Sequence, residues 1–181
     1  YVGTGRMGGG YIRTYNNSGR ETSYLGTGSD NSGQLRIYDK KGETRSYLGD
    51  GYLQAYNQFG ERTIFLGTGT NGGGYLRTYN FSGQESIYIG TGADSSGQIR
   101  IYDNTGETGS FLGSGYFRTY NRFGKMTTFI GNATDGGGYL RTNNKFETET
   151  AFLGTNNANE GLINLNDKFG QSFWIRLNKK N

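Results

Sequence analysis

The chain has 181 residues, of which 31% are hydrophobic and 15% aromatic, with 34 Gly and no Pro, Cys or His. Without His or Cys the commonest general bases, nucleophiles and metal ligands are missing, as are disulfides, so any catalysis would fall to carboxylates, Tyr or Lys. Nineteen basic against fifteen acidic residues give +4, interspersed without a polybasic run, and no apolar stretch reaches the length of a membrane span, so neither nucleic acid nor membrane insertion is expected.

One phrase recurs from end to end: an aromatic, an aliphatic and a glycine, at Tyr1-Val2-Gly3, Tyr24-Leu25-Gly26, Tyr47-Leu48-Gly49, Phe65-Leu66-Gly67, Tyr88-Ile89-Gly90, Phe111-Leu112-Gly113, Phe129-Ile130-Gly131 and Phe152-Leu153-Gly154. The steps are 23, 23, 18, 23, 23, 18 and 23 residues, so three unequal sub-repeats make a super-repeat of 64. A fixed period of this size marks a repeat architecture. The expected organisation is super-repeat 1 over 1–64 (units at 1, 24 and 47), super-repeat 2 over 65–128 (units at 65, 88 and 111) and a partial third over 129–181.

Between the anchors lie Asn16, Asp39, Asn57, Asn80, Asp103, Asn121, Asn144 and Asp167, each followed three residues later by Gly, except that Glu147 takes that place in the seventh unit. Asn or Asp first and Gly fourth predicts a type I turn ending in a left-handed bulge residue, closing a β-hairpin. The flanking strands read like Tyr75–Tyr79 and Glu85–Ile89. With period two, Leu76, Thr78, Ile87 and Ile89 share an aliphatic and small face, while Tyr75, Arg77, Tyr79 and Tyr88 share an aromatic and arginine face.

The link at the other end sets the super-repeat. It is short at Asp50-Gly51 and Ser114-Gly115, a two-residue hairpin signal. Elsewhere it is five residues longer, glycine-rich at Gly8-Gly9-Gly10, Gly72-Gly73-Gly74 and Gly136-Gly137-Gly138, and Ser- and Asp-rich after the anchors at 24 and 88. Loop type thus repeats every third hairpin. This favours a β-solenoid with three hairpins per turn over a straight array of duplicated modules. The last unit departs from the pattern at Trp174-Ile175-Arg176-Leu177, either a cap or a strand that pairs with the open edge of another copy; Trp174, Ile175 and Leu177 are the candidate joint.

The Tyr-Arg-Tyr strands are the candidate glycan platform: Tyr11, Arg13 and Tyr15; Tyr75, Arg77 and Tyr79; Tyr116, Arg118 and Tyr120. Gln54 replaces Arg between Tyr52 and Tyr56. Such rings also pack on one another, and their recurrence in nearly every unit favours packing. Sequons at Asn16, Asn80 and Asn132 are candidate N-glycosylation sites. Asp30, Asp94 and Asp135 sit in Gly- and Ser-rich links but lack the nine-residue order of calcium β-rolls, so no metal is expected. Gly3-Thr4-Gly5 opens no helix, which removes a phosphate-binding loop and leaves no cofactor expected. Asp50 with Glu43 is the carboxylate pair for a glycosidase reading, which ranks last.

Tyr-Leu-Gly followed by Gly-x-Leu-x-x-Tyr-Asn-x-x-Gly resembles the β-repeat shafts of phage tail fibres and of bacterial extracellular fibrous proteins. The resemblance implies an all-β, elongated array of hairpins outside the cell, often trimeric in the phage proteins. The aromatic hairpins are also similar to bacterial choline-binding repeats, without their tryptophan-rich pattern. The functional expectation is a non-enzymatic extracellular filament or viral fibre subunit whose partners are copies of itself, as filament or homotrimer. The alternative is a carbohydrate- or cell-wall-binding module, with glycans bound or attached.

Overall fold

The computed structural model of the protein describes residues 1–5, 8–134, 136–156 and 158–177, with 174–177 described by backbone alone. Among these residues the regular structure is 17 β-strands, successive strands within each unit pair antiparallel, and there is no helix. The all-β expectation holds at that level.

Two compact units divide the chain, Tyr1–Thr91 and Gly92–Asn181. The first contains β1 (Val2–Thr4), β2 (Gly10–Tyr15), β3 (Glu21–Thr27), β4 (Gly33–Tyr38), β5 (Thr44–Gly49), β6 (Tyr52–Tyr56), β7 (Arg62–Thr68), β8 (Gly74–Tyr79) and β9 (Glu85–Thr91). The second contains β10 (Gly97–Tyr102), β11 (Thr108–Gly113), β12 (Tyr116–Tyr120), β13 (Met126–Asn132), β14 (Gly138–Asn143), β15 (Glu149–Thr155), β16 (Gly161–Asn166) and β17 (Ser172–Leu177). Within each unit a strand touches only the strands before and after it in sequence. Each unit is therefore a meander one layer thick, and the contacts between strands three hairpins apart that a solenoid would make do not occur within a unit among the described residues.

Turn chemistry explains the meander. At Asn16 the backbone N–H donates to the Arg20 carbonyl at 2.9 Å and the Gly19 N–H donates back to the Asn16 carbonyl at 3.0 Å. Gly19 holds φ +74°, and the ladder shifts register between Thr14 and Tyr15. This is the expected type I turn with a left-handed bulge residue. The Asn16 side chain reinforces it, its Oδ1 accepting the N–H groups of Ser18 and Arg20, each at 3.0 Å. Asp39, Asn57, Asn80, Asp103, Asn121, Asn144 and Asp167 accept in the same two directions.

The longer links fold as the same turn whatever their composition. Gly28 N–H donates to Ser32 O at 2.7 Å with Asn31 at φ +66°, and Gly69 N–H donates to Gly73 O at 2.8 Å with Gly72 at φ +82°. The Ser- and Asp-rich and the glycine-rich kinds thus differ in side chains and agree in backbone. Asp50-Gly51 (φ +49° and +77°) and Ser114-Gly115 (φ +50° and +83°) are two-residue turns with both residues left-handed, as predicted.

Candidate functional site

Register divides each sheet into two faces of different chemistry. Arg77 lies opposite Tyr88, and Tyr75 opposite Gly90. On this face, rings from successive strands stack. In the first unit Tyr11 stacks on Tyr24 at 6.0 Å, and a second run goes Tyr47, Tyr52, Phe65, Tyr75, Tyr88 with centroid spacings of 5.3, 5.4, 5.2 and 5.8 Å. Gln34 occupies the ring position between the two runs. The second unit carries Phe111, Tyr116, Phe129, Tyr139 and Phe152 at 5.2, 5.5, 4.7 and 5.4 Å. Phe129 is the one buried hydrophobic side chain among the described residues, at 5% exposure.

The anchor glycines make this stacking possible. A Cβ at Gly90 would lie 2.5 Å from the Tyr75 Cβ, and one at Gly131 would lie 2.5 Å from the Tyr116 Cβ. These glycines are not in the left-handed region, so space and not conformation selects them. The aromatic of each anchor lies along its own strand: Tyr24 donates its hydroxyl to the Thr27 carbonyl at 2.7 Å, and Tyr88 donates to Thr91 at 2.8 Å.

Arginines lie beside the rings. The Arg13 guanidinium is 4.6 Å from the Tyr11 centroid, Arg77 is 4.7 Å from Tyr75, and Arg118 is 4.2 Å from Tyr116. Each also reaches the ring opposite it, Tyr24, Tyr88 or Phe129, within 5.5 Å. Arg13 pairs with Glu21 and Arg77 with Glu85, both at 3.3 Å. The Tyr15 phenol beside Arg13 raises the guanidinium pKa above its ordinary value. Burial lifts the Tyr11 phenol, helped by Tyr1, and burial lifts Tyr47, helped by Tyr52.

The candidate glycan platform is therefore assembled, but largely on itself. The broad faces of Tyr75 and Tyr116 are covered by neighbouring rings on both sides, so a sugar lying flat on either would have to displace one. The second tyrosines, Tyr15, Tyr79 and Tyr120, lie at the strand ends; Tyr15 is 47% exposed, while Tyr79 and Tyr120 are half-buried.

Asn16 and Asn80 occupy equivalent turns with the Oδ1 of each held by its own backbone, and Asn132 stands exposed at the end of β13. Asp30 and Asp94 are likewise engaged, accepting the hydroxyls of Ser32 at 2.8 Å and Ser96 at 2.7 Å, whereas Asp135 lies outside the described residues. Among the described residues no group of three His, Cys, Asp or Glu is placed to hold a metal. Glu43 and Asp50 lie at opposite ends of β5, about 20 Å apart by strand length, too far to act on one glycosidic bond. The side chains of Trp174, Ile175 and Leu177 lie outside the description. Their backbone pairs with β16, Trp174 opposite Leu165, Ile175 opposite Asn164 and Leu177 opposite Leu162.

The opposite face carries an unbroken apolar row, aliphatic except at Phe117. Register runs Val2, Ile12, Leu25, Leu35, Leu48, Leu53, Leu66, Leu76, Ile89 across nine strands, and Ile99, Leu112, Phe117, Ile130, Leu140, Leu153, Ile163 across the second unit to β16. Leu25 and Leu66 in the first unit are each 51% exposed and Leu153 in the second is 52% exposed, so this row is not the core of either layer.

Sequence reasoning also missed the hairpin tips. Phe59, Phe81, Phe123, Phe146 and Phe169 project there, 65–87% exposed, with Arg122, Lys145 and Lys168 within 4.9 Å of the rings beside them. The signal was a phenylalanine inside the turn signature, as in Asn121-Arg122-Phe123-Gly124.

No protein-family model matches the chain, and no curated protein matches it.

Proposed function

We propose that the chain is a non-enzymatic structural protein, a β-repeat subunit of an extracellular filament or of a viral or phage fibre, whose partners are copies of itself. One observation supports this above the others: the side chains that recur in each repeat are committed to one another. Rings cover rings, guanidinium groups cover rings, and turn carboxylates and amides bind their own turns, so the repeated polar groups among the described residues are spent within the fold. Growth through strand edges is part of this reading, because within each unit each described strand lies side by side with its neighbours in sequence, and an unpaired strand edge is a template for another strand.

The 64-residue period is the building block of the assembly. It contains three hairpins, so six strands stacked about 4.8 Å apart advance about 29 Å per super-repeat. Electron microscopy and fibre diffraction of the full chain test this. Filaments with reflections at about 4.8 and about 29 Å are expected. Discrete particles without the longer spacing would overturn the filament, and an axial advance near 10 Å per 64 residues would point to the three-hairpin solenoid instead.

The second reading is a carbohydrate- or cell-wall-binding module, favoured by the half-exposed Tyr15 phenol beside Arg13. Binding of the full chain to a glycan array, abolished by Tyr75→Ala with Tyr79→Ala in a protein that stays folded, would establish it. Loss of stability in that variant returns the rings to the structural account.

A further inference from the structure

The aliphatic face contains glycines that the chain itself does not require. Gly10, Gly33, Gly74, Gly97, Gly138 and Gly161 each begin a strand, two residues before the aliphatic row and on the same face. None has positive φ. A Cβ would meet nothing within 4 Å at Gly10, Gly33, Gly97, Gly138 and Gly161, and only the Gly67 carbonyl at 3.9 Å at Gly74. Every one is exposed.

Gly72-Gly73-Gly74 isolates the anomaly. Gly72 needs φ +82°, and a Cβ at Gly73 would strike the Thr91 side chain at 2.7 Å, whereas Gly74 has neither constraint. Yet the first two positions vary among the long links, as in Asn31-Ser32, while the third is glycine in all six. Glycine weakens a strand, and in strands it marks a place where a ligand or another backbone approaches closely.

From these glycines we infer that the aliphatic face of the first unit is covered by the same face of a second copy of this chain. In the ladder Gly10 lies beside Thr4, Gly33 beside Thr27 and Gly74 beside Thr68, forming a shallow trough next to the Leu row. Grooves of about 680 and 600 Å³ follow this trough where Leu25 and Leu66 border Gly33 and Gly74. A two-fold axis running across the strands, midway between row and trough, sets the leucines of each copy over the glycines of the other. Such an interface is isologous, and bulk on one side meets its absence on the other.

Area and charge agree with this occupant. Eight strand steps and about five residues of each strand give a face of ~38 by ~17 Å, hence ~1,300 Å² buried in total, within the range of stable specific interfaces. The strand residues in the three register rows of this face in the first unit include no Asp, Glu, Lys or Arg, and Asp50, in the turn between β5 and β6, is the one charged residue lining these grooves among the described residues. The chain exposes 12096 Å², more than the roughly 10,400 Å² of two separate compact units of half its mass. This pairing is independent of growth at strand edges, so filament length and layer number report on the two separately.

The test is Gly33→Val with Gly74→Val in the full chain. Within one copy these side chains enter empty space in β conformation, so circular dichroism should be kept, and the thermal midpoint should be kept or raised at concentrations where neither protein pairs. Sedimentation velocity, or mass per unit length if filaments form, should read two chains side by side for the unsubstituted protein, and at least a tenfold weaker association for the variant. A smaller variant, Gly33→Ala with Gly74→Ala, and an independent one, Leu25→Asn with Leu66→Asn, should weaken pairing too. A single layer of one chain in the unsubstituted protein overturns the inference, whether the face is bare or closed within the chain, and so does pairing that survives Gly33→Val with Gly74→Val.

Discussion

Across the β2–β3 ladder Gly26 lies directly opposite Tyr11, so close that a Cβ at position 26 would stand 2.6 Å from the Tyr11 Cβ and 2.9 Å from the Gly10 carbonyl oxygen. Backbone cannot yield as a side-chain tip can. Gly26→Ala, Gly90→Ala and Gly131→Ala should therefore each destabilise the fold by about 1–3 kcal/mol, as overpacking does elsewhere. Urea unfolding measures this. Gly33→Ala, with open space and no strained φ, should be neutral to stabilising by up to about 1 kcal/mol in a monomeric background.

That contrast bounds what the sequence could reveal. The hairpins were legible because Asn or Asp at the first turn position and Gly at the fourth encode a backbone geometry locally, and the two faces were legible because strand alternation is strict. Gly26, Gly72, Gly73 and Gly74 look alike in a sequence, yet one seats a ring, one holds a left-handed turn, one clears Thr91 and one faces open space. Only neighbours distant in the chain tell them apart. The solenoid expectation had the same weakness: loop composition repeats every third hairpin, but the long links share one turn geometry, so the period lies in side chains and length and does not by itself bend the sheet.

Arg118 tests how the guanidinium groups contribute. It lies 4.2 Å from Tyr116 and 5.3 Å from Phe129, and its buried Nε has no hydrogen-bond acceptor. Its contribution is then packing and attraction to the ring faces. Arg118→Met, which keeps the bulk, should cost about 0.5–1 kcal/mol with little dependence on salt. Arg77→Met should cost a similar amount but lose part of its effect in high salt, because Arg77 also pairs with Glu85 at 3.3 Å. Thermal unfolding of both at low and high ionic strength separates the two.

Acid should loosen the turns in a defined window. Burial pushes the Asp39 carboxyl up, but the N–H of Glu43, the Arg45 guanidinium and the N–H of Lys41 outweigh it and bring the pKa to about 2. The hydroxyl and N–H of Thr105 lower Asp103, and those of Ser96, with the Ser114 hydroxyl, lower Asp94. A depressed folded pKa means stability that is fully present above the ordinary carboxylate value near 4 and is lost as pH falls toward 2. With no histidine in the chain, stability should be flat from about pH 5 to 8. Thermal midpoints across pH 2–8 check this, and Asp39→Asn, which keeps an acceptor without a proton to gain, should shallow the acid limb.

Glu147 stands where its sister turns have glycine, at φ +65°, and there its side chain reaches back to the preceding hairpin, accepting from the Lys125 ammonium at 3.0 Å and the Met126 N–H at 3.3 Å. Lys125 and then the Met126 N–H hold its carboxyl below the usual glutamate range. Two opposed effects meet at this residue: a left-handed L-residue is strained, while the carboxylate ties two turns together. Substitution can separate them. Glu147→Ala loses the tie and keeps the strain, whereas Glu147→Gly loses the tie and relieves it. The glycine variant should be more stable than the alanine variant by about 1 kcal/mol. Lys125→Met should destabilise the native chain and leave Glu147→Gly unaffected, a coupling that a double-mutant cycle in urea reads directly. Equal stability of the Gly and Ala variants would show that the backbone at 147 relaxes out of the left-handed region once the carboxylate is gone.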